Sequence, residues 1–154
     1  MARFADKRVL VTGAGQGIGF GVCRAFAAEG ARVGLNDVDD ALARRAADQI
    51  NAEFPAPRVT AFPGDAADVP ALQTMIDSFA DQQGGLDILV ANAGITRYVS
   101  FLEATPDIFD RVANVNLRGT YFAAQAAAKR MIAAGMPGRI ILMSSIVGMK
   151  AFPN

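Results

Sequence analysis

The chain has 154 residues, 52% of them hydrophobic and 19% charged, with 15 Lys and Arg balanced by 15 Asp and Glu. That length predicts one domain whose core buries roughly 70% of the unfolded surface, and zero net charge leaves no cationic excess to hold a nucleic acid backbone or an anionic membrane. There is no histidine, and Cys23 is the only cysteine, which excludes a Ser-His-Asp triad, a Cys-His pair, an intrachain disulfide, a histidine-ligated metal and a structural zinc site.

Apolar runs alternate with helical patterns. Residues 8–11 read as a first strand, and Ile18, Val22, Cys23, Ala25 and Phe26 form a helix face that closes at Gly30. Residues 32–35 are a second strand, after which Asp39 is placed to cap a helix through Leu42, Ala46 and Ile50, stopped by Pro55 and Pro57. A third strand is expected at 59–62. Beyond the turn at Gly64 and Asp65, the positions Val69, Leu72, Met75, Ile76 and Phe79 step by three and four as a helix does, and Gly84 and Gly85 end it. Residues 88–91 are a fourth strand, 108 to about 134 one long helix, and 140–143 a fifth strand. Strand and helix alternating in this way predict an α/β fold, a Rossmann-like doubly wound parallel sheet with helices on both faces. Cys23, on the first helix, is expected to be buried and inert. No stretch approaches the roughly 20 apolar residues that span a bilayer, so the chain reads as cytoplasmic, without a membrane segment. The alanines between 123 and 128 would let another helix approach closely, in a subunit interface or within its own fold.

The segment Thr12, Gly13, Ala14, Gly15, Gln16, Gly17, Ile18, Gly19 follows the first strand and opens the first helix. A glycine turn in that position offers unpaired N–H groups and the positive end of a helix dipole to a phosphate. The spacing is not Gly-x-Gly-x-x-Gly, because Ile18 stands at the third position; it is Thr-Gly-x-x-x-Gly-x-Gly, through Gly13, Gly17 and Gly19. A Walker-type loop is ruled out because no Gly-Lys-Ser/Thr follows. Asp37 ends the second strand, about 18 residues beyond Gly19. A carboxylate there accepts hydrogen bonds from ribose hydroxyls and repels a 2′-phosphate, which favours NAD over NADP. Its neighbours Asn36 and Val38 bring no cation to offset that repulsion.

With these features in place, the chain resembles the N-terminal, cofactor-binding part of a classical short-chain dehydrogenase/reductase. Gly64, Asp65 and Ala66 resemble the family's acidic turn, which implies that Asp65 meets the adenine amino group. Asn92, Ala93 and Gly94 resemble its Asn-Ala-Gly signature, whose backbone lies along the adenosine ribose, although Ala91 replaces the commoner asparagine. In Asn114, Val115, Asn116, Leu117, Arg118 and Gly119 the resemblance makes Asn116 the catalytic asparagine that seats a relay water. Ser144 and Ser145 precede Ile146, Val147 and Gly148, and the pattern implies that Ser145 orients the substrate. The implied activity is NAD-dependent interconversion of a small-molecule alcohol and ketone, by an enzyme expected to be a homo-oligomer when full length.

The family's Tyr-x-x-x-Lys pair is not present in these residues. The residue four beyond Tyr98 is Leu102, the one four beyond Tyr121 is Gln125, and Lys129 and Lys150 have no tyrosine at that spacing. A tyrosine with a pKa of about 10 needs a nearby cation to exchange protons at neutral pH. The expectation is therefore a single dinucleotide-binding domain over 1–154, incomplete at its C-terminal end and inactive by itself. Two other readings stand beside it: a non-catalytic dinucleotide-binding or interaction module of the same fold, and a methyltransferase using Gly13, Gly15 and Gly17 as Gly-x-Gly-x-Gly. The second leaves the Asn92 turn and the serine pair unexplained.

Overall fold

The computed structural model describes residues 2–146; Val147, Gly148 and Lys150 lie outside the described residues. Five strands, β1 (Arg8–Val11), β2 (Arg32–Leu35), β3 (Val59–Ala61), β4 (Ile88–Ala91) and β5 (Arg139–Leu142), form one sheet in the order β3-β2-β1-β4-β5. All four pairings are parallel. From β1 the chain winds first toward β2 and β3, then returns to place β4 on the other side, so the direction reverses between β1 and β4. A crevice opens outside the carboxyl ends of the strands at such a reversal.

Both faces of the sheet are covered, which explains why the central strands are apolar throughout rather than alternating. Val9, Val11, Val33, Leu35 and Val90 pack on one face with Cys23, Ala27, Ala43 and Ile50. These come from α1 (Gly17–Ala28) and α2 (Asp40–Asn51). Leu10 and Leu89 point to the other face, against Leu72, Ile76 and Phe79 of α3 (Val69–Gln83) and Ala123 and Ala127 of α5 (Thr120–Ala133). Burial pushes the Cys23 thiol up, far from a reactive thiolate.

Capping residues set the helix starts. Asp39 accepts from Leu42 N at 2.9 Å, Asp68 from Ala71 N at 3.1 Å, and Thr105 from Ile108 N at 3.3 Å at the head of α4 (Pro106–Ala113). The long helix expected from 108 to about 134 runs unbroken from Pro106 to Ala133, but it carries a π-helical stretch, Asn114–Gly119, between α4 and α5. The physical reason is tertiary. Asn116 is drawn to the backbone of Ile95, while Gly119 packs where a Cβ would collide with the Ala66 carbonyl, so the helix takes in an extra residue to satisfy both. A short 3₁₀ turn, Phe101–Glu103, precedes α4. Among the described residues β3 and β5 are the two edge strands, and Ile140, Ile141 and Leu142 of β5 are exposed.

At the amino ends of the strands, Arg8 and Asp87 tie β1 to β4. Arg8 Nε lies 2.6 Å from Asp87 Oδ2, Arg8 N donates to the same oxygen at 2.9 Å, and Lys7 Nζ stands 3.7 Å from Oδ1. Desolvation pushes the Asp87 carboxyl up, but the hydrogen bonds and charge of Arg8, with help from Lys7, outweigh it and hold it below its ordinary value. A depressed carboxylate stabilises the fold above its unfolded pKa, about 4, and that stabilisation is lost as pH falls through the lower folded value. Asp87→Asn is expected to cost about 2 kcal/mol at pH 7. Urea midpoints of the two proteins should converge progressively as the pH is lowered below about 4; a constant gap across pH would contradict the ion pair's role.

Candidate functional site

A cleft of about 850 Å³ lies over the carboxyl ends of the strands, at the reversal between β1 and β4. Gly13, Gln16, Ile18 and Gly19 line it from the glycine turn. Asp37 lines it from the end of β2, Asp65 and Ala66 from the loop after β3, and Asn92, Ala93 and Gly94 from the loop after β4. Gly17 belongs to the turn but not to the lining, and neither Asn116 nor Ser145 reaches it.

The turn is held at three points by the end of β2. Asn36 Oδ1 accepts from Gly13 N at 3.4 Å, Asn36 O from Ala14 N at 2.6 Å, and Asp37 Oδ2 from Gly15 N at 2.9 Å. The N–H groups of Gly17, Ile18 and Gly19 precede the first main-chain bond of α1, from Phe20 N to Gln16 O, and no side chain caps them. Each of α2, α3 and α4 has a capping side chain; α1 presents bare donors to the cleft. Gly13 and Gly17 both have φ +61°, a left-handed conformation that glycine adopts without penalty. These features fit a bound pyrophosphate.

Asp37 is half-buried, and its other oxygen, Oδ1, accepts from Asp39 N at 3.1 Å. The cap of α2 is Asp39. A carboxylate offers about four acceptor sites, so two remain for a ligand. Asp65 folds its own loop, accepting from Ala67 N at 2.8 Å. Asn92 acts through its amide, donating to Thr12 O at 3.0 Å and Gly13 O at 2.9 Å, while Thr12 Oγ1 accepts from the N–H groups of Asn92 and Ala93 at 3.1 Å each. The two loops flanking the reversal are thereby clamped together.

Asn116 has both ends of its amide on one residue: Oδ1 accepts from Ile95 N at 2.8 Å and Nδ2 donates to Ile95 O at 2.9 Å. It therefore fixes the wall of the cleft through Ile95, which does line it. Ser144 and Ser145 follow β5 and are exposed.

The structure adds residues that sequence reasoning did not single out. Asn36 is buried, and its Nδ2 donates to Phe62 O and Gly64 O at 2.9 Å each, joining the loops after β1, β2 and β3. A polar residue directly after the apolar run 33–35 was the available signal. Asp107, Asp110, Arg111, Asn114 and Val115 form a second wall. Their spacing is one helical stripe, but polar residues at the start of a helix look the same when they face only water.

The sheet order, the crevice and the bare helix start define a Rossmann-like α/β protein with a glycine turn and an uncapped helix at its switch point. The chain belongs to the short chain dehydrogenase family, whose family model matches residues 7–154. It is 37% identical over 146 residues to galactitol 2-dehydrogenase of Agrobacterium fabrum, covering 95% of this chain and 55% of that protein. A short-chain type dehydrogenase/reductase from Mycobacterium marinum superposes with a TM-score of 0.92 at 32% identity, covering 97% of this chain and 60% of that one. A gluconate 5-dehydrogenase from Burkholderia cenocepacia, solved in complex with NADP and tartrate, gives 0.88 at 35% identity over 99% of this chain and 59% of that one. The chain thus spans somewhat more than half the length of the proteins it matches.

Proposed function

We propose that residues 1–154 are the cofactor-binding part of an NAD-dependent oxidoreductase that interconverts a small-molecule alcohol and ketone. The observation that carries this reading is the cleft itself, where an uncapped helix start, Asp37 and the Asn92 turn meet at one switch point. The glycine turn would hold the pyrophosphate through the N–H groups of 17–19, Asp37 would accept from the adenosine ribose, and Asp65 and Ala66 would border the adenine. When bound, NAD supplies the hydride acceptor of the reaction.

Charge supports NAD over NADP. The charged residues lining the cleft are Asp37, Asp65, Asp107 and Asp110 against Arg111, a net anionic surface into which a further 2′-phosphate would be drawn at a cost. The gluconate 5-dehydrogenase holds NADP, so the family likeness alone does not decide the matter.

Ser145 would orient the substrate oxygen and Asn116 would keep the neighbouring loop, through Ile95, in place for a relay water. The tyrosine and lysine that complete proton transfer would come from the remainder of a longer protein, in keeping with the 55% of galactitol 2-dehydrogenase that this chain spans. Exposed Phe109, Leu117, Tyr121 and Ile132 along α4 to α5 support self-association of the full-length protein, and a buried lone thiol is compatible with a cytoplasmic location. A non-catalytic module of the same fold is the second reading.

Fluorescence titration of the full-length protein should show NADH binding at least tenfold tighter than NADPH. Equal affinities would refute the NAD assignment. Tight NADH binding without dehydrogenase activity on any alcohol or polyol would favour the module.

A further inference from the structure

Two walls of the cleft come from different parts of the chain. Val38, 68% exposed, lines it from the segment between β2 and α2; the stripe Asp107, Asp110, Arg111, Asn114 and Val115 lines it from α4 and the start of the π-helical stretch. The π-helical stretch continuing that stripe packs on Ala66 through Gly119, which sets the stripe beside the loop 65–67. Arg111 is the only cationic side chain in the lining, and it makes no ion pair or hydrogen bond with any described residue, although Asp107 and Asp110 are its helix neighbours. An arginine left unpaired at a cleft is a donor and a planar, weakly hydrated surface at once.

We propose that Arg111 is a binding residue for the base at the adenosine end of the dinucleotide, laying its guanidinium plane on the ring opposite Val38. This rests on the dinucleotide reading and deepens it. The phosphates are accounted for elsewhere, by the donors of 17–19 at the far end of the turn, and a 2′-phosphate would stand by Asp37 on the opposite wall. What remains for the α4 wall is the flat, uncharged base. Guanidinium planes stack on such rings, and an ammonium cannot replace that contact.

The test is NADH and NADPH titration, by fluorescence, of the full-length protein and of Arg111→Met and Arg111→Lys. Arg111→Met should raise the Kd for both nucleotides by the same factor, about fivefold, and Arg111→Lys should not restore it. The melting midpoint should not move, because the exposed guanidinium holds nothing in the fold. An unchanged NADH Kd in Arg111→Met, full restoration by lysine, or weakening of NADPH alone would overturn the assignment while leaving the dinucleotide reading intact. Failure of the unaltered protein to bind NADH would overturn that reading and the assignment with it.

Discussion

Replacing Gly19 by alanine is expected to destabilise the protein by about 3 kcal/mol and lower its melting midpoint by about 10 °C. A Cβ at 19 would lie 2.6 Å from Asn92 Nδ2, 2.6 Å from Gly13 O and 2.7 Å from Ala14 Cα. Two of these atoms are backbone and cannot swing aside; the third is an amide already donating to Thr12 O and Gly13 O. The methyl group must therefore lift α1 from the turn or break the Asn92 clamp between the loops after β1 and β4. Gly17→Ala supplies the contrast. A Cβ at 17 meets no heavy atom within 4 Å, so that change costs only the left-handed conformation at φ +61°, about 1 kcal/mol. Chemical denaturation of both variants should rank Gly19→Ala well below Gly17→Ala. Equal midpoints would show that close packing of helix on turn is not what excludes a side chain at 19.

The same region shows what a sequence can and cannot disclose. The strands were legible because fully covered parallel strands are written as apolar runs, and the start of α2 because Asp39 is a capping residue at the right distance from Leu42. The turn spacing and Asp37 pointed to positions that do gather along one cleft. Gly15 was outside the fingerprint, yet a Cβ there would lie 2.7 Å from Leu42 Cγ and 2.8 Å from Asp37 Oδ2. That constraint comes from α2 folding back on the turn, which no local pattern records. The π-helical stretch was illegible for a similar reason. Its cause is the pairing of Asn116 with Ile95, 21 residues away, and a hydrophobic period cannot register one inserted residue. The stripe from Asp107 to Val115 was hidden because its charges serve equally as a solvated first turn.

Loss of the Asp37 carboxylate should have the largest effect on nucleotide choice: Asp37→Ala is expected to weaken NADH binding by about 10- to 100-fold while NADPH binding changes little, so that selectivity collapses. Two of the carboxylate's acceptor sites serve Gly15 N and Asp39 N, and the two left over are the ones a ribose diol would use. Removing the charge also removes repulsion of a 2′-phosphate, but Asp65, Asp107 and Asp110 still line the cleft, so little NADPH affinity is gained. Alanine strips acceptors from two main-chain donors as well, which costs about 1 to 2 kcal/mol of stability. Asp37→Asn separates the two effects, because its amide oxygen can keep one of those donors while the negative charge is gone. If selectivity follows charge, asparagine should lose most of the preference for NADH over NADPH and keep more of the stability than alanine does. If both variants keep the full preference while their melting midpoints fall, Asp37 serves only to hold the glycine turn, and the discrimination between nucleotides must lie with the other carboxylates of the cleft.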